Sequence, residues 1–279
     1  MVKIVTDSVS DIPKDYLDKY DITVVPINII IDENTYKDGL DITTEQVYDK
    51  IKQGYLPKTS QANPHDFIKV FDELSKEGDE VLAILLSSKL SGTYSSALIA
   101  KQELLDRKIE VIDSKAITLT QGMLVIEAAK MAKEGKNLDE IKKVIEQKID
   151  KMEQFIIFDT LEYAYKGGRI SKIQYMLSNV LNLKIIITLK DGEMVVKDKV
   201  RGRKKAIKWI INYMKDKNIK LDGKVIGINH ANDSDYLEEL KEAILSEHSP
   251  KEIILSNVGC AVAAYSGLSA VAVHFEKED

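Results

Sequence analysis

An α/β architecture follows from three features of the chain: a parallel-sheet first domain with helices on both faces, then a second α/β domain with a mixed six-stranded sheet. Through residues 1–152, short apolar runs alternate with helical stretches of about ten residues or more, the pattern of βαβ units and a parallel sheet. Residues 153–279 carry six apolar runs with fewer helical crossovers between them. Among these, Asp191-Gly192 joins two strand-like runs, a hairpin signal that demands an antiparallel pair. A length of 279 residues exceeds the usual single-domain size, so two domains sharing a cleft are expected, 1–152 and 153–279.

In order, residues 3–6 read as a strand. SVSDIP then signals a helix start, with Ser10 or Asp11 as cap and Pro13 in the first turn, and a helix to about Tyr20. Residues 22–27 are a second strand, and INIIIDENTYKDG is an extended excursion that turns at 32–34. Thr43 and Gln46 have capping-box spacing before a helix over 47–53. LPKTSQANP, residues 56–64, reads as a polar loop leading to a helix over 65–76. The run 81–86 is a buried strand, and SSKLSG carries it into a helix starting near Thr93 with Ser91 as its N-cap. A strand over 109–112 and helices over 119–133 and 138–148 close the first half. The second half has strands at 155–158, 184–189, 194–200, 225–229, 253–255 and 270–275.

In open parallel sheets, ligands bind beyond the carboxyl ends of the strands. Thr6-Asp7-Ser8, Ser87-Ser88 and Asp113-Ser114 all follow strand ends and are expected on one rim. The helix start after Ser91 suits an anion, because free N–H groups and the positive dipole end meet there and no acidic residue lies between 87 and 97. A satisfied cap is the plainer reading of the same serine. Lys166-Gly167-Gly168-Arg169 offers a tight turn followed by a cation that can be aimed at a cleft, or simply a helix stop with a surface arginine. The basic run 197–208 places cations at the start of a helix, against its dipole, and fits either an acidic partner or a solvated face.

Several classes have little support. A net charge of −5 argues against broad nucleic-acid binding. One cysteine, Cys260, excludes an internal disulfide and a cysteine metal cluster, and fits a reducing cytoplasm. No phosphate loop, G-x-G-x-x-G or G-x-S-x-G frame occurs. His65, His230, His248 and His274 lack metal-pair spacing and read as structural, and Asp7 as a local turn or cap. No run is long and apolar enough for a membrane span, nor does the start resemble a signal peptide, so a soluble cytoplasmic protein is expected.

Taken together, TDSVSDIP, KTSQANP, SSKLSGTYSSA, the Asp113-Ser114 pair, LEYAYKGGRIS and VRGRKKA resemble the DegV family of bacterial fatty-acid-binding proteins along nearly the whole chain. The resemblance implies a long-chain fatty acid between the domains. Its carboxylate would be held by hydroxyls of Thr59, Ser60 and Ser91, with Gly92, Thr93 and Arg169 nearby. Where family members typically carry a histidine before a Gly-Pro-Gly-like turn, this chain has Tyr265, which can donate one hydrogen bond but carries no charge. Acyl-chain candidates in the second domain are Phe158, Leu161, Ile173, Leu177, Ile186 and Ile187. The resemblance further implies a carrier without catalytic group or cofactor that presents the acid to a separate fatty acid kinase, with Arg201, Arg203 and Lys204 as candidate partner surface. The alternatives are a small-molecule phosphotransferase using the cleft, and a lipid-binding regulatory protein that serves no kinase.

Overall fold

The computed structural model describes residues 1–176 and 183–277. In the first half, β1 (Val2–Asp7), a single 3-10 turn (Ser8–Ser10), α1 (Lys14–Tyr20) and β2 (Ile22–Val25) are followed by the hairpin β3 (Asn28–Ile31) and β4 (Asn34–Lys37). Next come α2 (Thr44–Lys52), β5 (Lys58–Ser60), α3 (Pro64–Ser75), β6 (Glu80–Leu85), α4 (Thr93–Glu103), β7 (Ile109–Asp113), α5 (Thr118–Lys133) and α6 (Leu138–Ile149). The second half comprises β8 (Met152–Phe158), α7 (Glu162–Lys166), α8 (Lys172–Met176), β9 (Leu183–Lys190), β10 (Glu193–Arg201) and α9 (Arg203–Asp216). It ends with β11 (Val225–Ala231), α10 (Ser234–Leu245), β12 (Glu252–Asn257), α11 (Cys260–Ser266) and β13 (Ala270–Glu276).

Strands β2-β1-β6-β7 form a wholly parallel sheet. Its strands are apolar on both faces because helices cover both: α1, α5 and α6 pack on one side, α3 and α4 on the other. The second sheet runs β10-β9-β8-β13-β11-β12 and is antiparallel except for β11-β12, whose crossover is α10. Asp191 and Gly192 both take positive φ at the β9–β10 turn, as the hairpin signal requires. The face of this sheet that carries Phe155, Ile157, Ile226 and Ile228 is buried under α9 and α10; its other face turns towards the first half.

The capping box at Thr43 and Gln46 forms in both directions. Three local expectations are corrected. Residues 58–60 are not loop but a third strand of the small sheet β4-β3-β5, paired through Ile29 with Thr59. Their polar composition gave no sign of it, because the partner strand lies some thirty residues upstream and is recruited only by tertiary structure. The turn after β1 is capped by Asp7, whose Oδ1 accepts from Val9 N at 3.0 Å, and α1 begins only after Pro13. At α4 the N-cap position is Gly92; Ser91 sits one residue earlier, its Oγ accepting from Thr93 N at 3.3 Å.

α5 lies between the two sheets and buries ten of its sixteen residues. Gly122 is required by close approach, since a Cβ there would stand 2.5 Å from the carbonyl oxygen of Ser10. One apolar core therefore runs through both halves, joining Val9, Ile27 and Ile29 to Phe158, Ile187 and Ala261. Among the described residues, no helix is long and apolar enough to cross a membrane.

Candidate functional site

The strand-end groups meet as expected. Asp7 Oδ2 accepts from Leu86 N at 2.8 Å and from Gln121 Nε2 at 3.1 Å, and Asp113 Oδ1 accepts from Ser88 N at 3.2 Å. Burial pushes the Asp7 carboxyl up to about 6 against the pull of these donors. Above this rim a cavity opens between the first sheet's loops and the inner face of the second sheet. Its walls are mostly apolar. Val9, Ile27, Leu86 and Ile117 come from the first half, and Ile156, Phe158, Met194, Val262 and Ala272 from the second.

Thr59, Arg169 and Tyr265 stand together in this lining, and Ser91 lines the same cavity next to Leu90, whose carbonyl Arg169 reaches. Thr59 Oγ1 and Tyr265 Oη are 2.6 Å apart, a hydrogen bond that joins β5 to α11. The Arg169 guanidinium lies 4.8 Å from the centre of the Tyr265 ring, and its Nε donates to the Leu90 carbonyl at 3.3 Å. Ser91 Oγ is 2.9 Å from Thr93 Oγ1. Thr93 is buried outside the cavity lining and orients Ser91. Gly92 also contacts the second layer: a Cβ there would fall 1.7 Å from Gln61 Oε1, and Gln61 in turn donates to Ser96 Oγ at 3.0 Å.

The double glycine before Arg169 has two separate causes rather than one turn. Gly168 takes φ of 78° and reverses the chain, whereas Gly167 has ordinary φ and is small because Tyr265 packs on it. A Cβ on Gly167 would lie 2.2 Å from Tyr265 Cε1.

Other candidates fall elsewhere. Ser60 points away from the cavity, is exposed, and accepts from Asn28 Nδ2 at 3.2 Å, because alternate residues of β5 face opposite ways. Phe158 lines the cavity, while Leu161 and Ile187 belong to the core around it without reaching its surface. Ile186 is on the opposite face of β9, under α9. Leu177 and the side chain of Ile173 lie outside the described residues. Arg203 is not a free surface cation: it pairs with Asp233 and, at 3.6 Å, with Glu239, and its guanidinium stacks 4.1 Å from the Tyr236 ring centre. Arg201 and Lys204 are exposed.

His230, structural by its sequence context, borders the cavity. Its Nδ1 accepts from Asp233 N at 2.9 Å, and burial lowers its basicity while Asp233 opposes that effect. It lies next to the last residue of β11, one position beyond the strand expected over 225–229, so the strand-end rule applied to the second sheet would have found it. Thr118 and Asn229, also in the lining, had no such signal.

Residues 1–278 match a family model described as "uncharacterised protein, DegV family". The chain belongs to the DegV family. A DegV domain-containing protein of Caldanaerobacter subterraneus subsp. tengcongensis is 45% identical over 277 residues, 99% of either chain. Among solved structures, a DegV family protein from Thermus thermophilus, described by its fatty acid binding, superposes with a TM-score of 0.92 at 30% identity, covering 99% of both chains. The stearic acid-binding protein of Eubacterium ventriosum gives 0.88 at 26% identity, covering 99% of this chain and 98% of that one. This DegV chain shares their fold through both sheets.

Proposed function

We propose that this DegV protein is a non-catalytic carrier that binds one long-chain fatty acid and presents its carboxylate to a partner fatty acid kinase. The reading is carried by the Thr59, Ser91, Arg169 and Tyr265 cluster in an otherwise mostly apolar cavity. Three hydroxyls donate to the carboxylate and the guanidinium supplies its countercharge, so the Arg169–Tyr265 stack replaces the charge of a histidine at position 265. The Thr59–Tyr265 bond sets the two hydroxyls side by side, where both turn to the carboxylate. Burying each tail methylene adds about 0.8 kcal/mol, so a long chain supplies most of the affinity. Solved relatives described as fatty acid binding, from Thermus thermophilus and Streptococcus agalactiae, support the ligand class at 30% identity each.

The head-group loops of residues 1–152 supply Thr59 and Ser91, and residues 153–279 contribute Arg169, Tyr265 and much of the tail wall. The exposed Arg201 and Lys204 form the contact for the kinase. Native mass spectrometry of delipidated protein with oleate or palmitate tests the binding. One adduct per chain is expected, weakened about tenfold in Ser91→Ala by loss of one hydrogen bond to a charged group; protein that stays empty with either acid refutes the reading.

A further inference from the structure

The cavity has a second polar region, set in the sheet rather than in the loops. On β11, Asn229 is 1% exposed and pairs across the sheet with Ala272, another residue of the cavity lining. Its Oδ1 lies 3.1 Å from His274 Nε2, and its Nδ2 is buried without a hydrogen-bond partner. Thr118, 2% exposed and also lining the cavity, approaches the same ring nitrogen at 3.4 Å. It is held at φ of 53°, a region that β-branched residues rarely enter.

Behind them the network runs deeper into the core and ends on Gln154, whose Nε2 is likewise buried without a hydrogen-bond partner. His274 Nδ1 is 2.8 Å from Thr120 Oγ1, which bonds Gln154 Oε1 at 2.5 Å, and all three residues are buried. Burial keeps the ring neutral, so one nitrogen donates and the other accepts. Whichever way the Asn229 carboxamide is turned, one of its ends serves His274 and the other is left unpaired, in a residue that belongs to the cavity lining. Such an orphan is unfavourable unless something in the cavity satisfies it.

We infer that Asn229 and Thr118 form a polar subsite for a hydroxyl carried on the acyl chain, so that the preferred ligand is a hydroxylated long-chain fatty acid. A hydroxyl both donates and accepts, and therefore meets either end of the carboxamide. A plain methylene there leaves the amide unpaired, and a hydroxyl anywhere else along the tail is buried without a partner. The inference rests on the fatty-acid reading above, and one experiment separates the two. Delipidated protein is titrated calorimetrically with stearate and with hydroxystearates whose hydroxyl sits at successive chain positions. One position is expected to bind at least about fivefold more tightly than stearate, with the remaining isomers weaker than stearate. In Asn229→Leu that peak vanishes: measured as the ratio to stearate within the same protein, every hydroxystearate binds no more tightly than stearate. Stearate binding best of all, as it would if a trapped water served Asn229, overturns the subsite and leaves the fatty-acid reading standing. So does a peak that survives Asn229→Leu. Failure of the whole series, stearate included, removes both.

Discussion

At the scale of single residues, the site depends on small side chains as much as on polar ones. Gly167 makes room for the Tyr265 ring and so fixes where the phenol meets Thr59. Titration also belongs to this scale. Burial lowers His274 to about 3 from an ordinary 6.5, so the unfolded chain binds a proton there that the folded one refuses. Its contribution is present above pH 6.5 and is lost as pH falls towards 3. Asp7, raised to about 6, has the opposite sign: its contribution is full below its unfolded value of 3.8 and is lost as pH rises through 6. Comparing wild type with His274→Phe cancels the Asp7 part. Between about pH 7 and pH 5 the stability advantage of wild type over the variant should shrink by about 2 kcal/mol in urea unfolding. An advantage that stays constant would show that His274 titrates normally in the fold.

At the scale of elements, α11 is the part that carries Tyr265 to the cavity, and it is held from the opposite half of the chain. Asp38 accepts from Cys260 N at 3.1 Å, Ala261 N at 3.2 Å and Ser8 Oγ at 2.9 Å, while Asp11 accepts from Gly259 N at 2.7 Å. Two carboxylates thus cap one short helix start, and burial raises both, with their mutual repulsion raising Asp11 further. Asp38→Ala leaves two backbone donors without partners and should cost about 2–4 kcal/mol, read as a lower urea midpoint at unchanged slope. Oleate affinity should fall with it, because Tyr265 loses its support. An unchanged midpoint would mean that α11 docks through its apolar face alone. The capping box at Thr43 and Gln46 and the Asp191-Gly192 hairpin were legible in the sequence because each is a contract among neighbours. The strand at Lys58–Ser60 and the cap of α11 were not, since their partners lie far along the chain.

At the scale of the whole molecule, both sheets and α5 surround one cavity, so ligand and fold are coupled. A ligand that binds only the folded state stabilises it by about 2.7 kcal/mol at a hundredfold excess over Kd. Thermal unfolding of delipidated protein should therefore shift upward with palmitate or oleate at micromolar concentration and hardly at all with octanoate, which buries about half the methylenes. Equal shifts for octanoate and palmitate would place the binding energy in the head group and contradict a tail buried in this cavity.

What the amino-acid order determined by itself is what depends on short range: the alternation of strands and helices, the antiparallel turn, the strand-end loops and the family motifs with Thr59, Ser91 and Arg169. Hydrophobic period and capping chemistry act over a few residues, so they can be read without a fold. Tertiary structure alone decided which of those residues converge. It sent Ser60 outward and Ile186 to the far face, because strand register assigns sides. It spent Arg203 on Asp233, and brought Asn229, Thr118 and His230 to the cavity wall. Such placements follow from long-range packing of two sheets on α5, which no local pattern records.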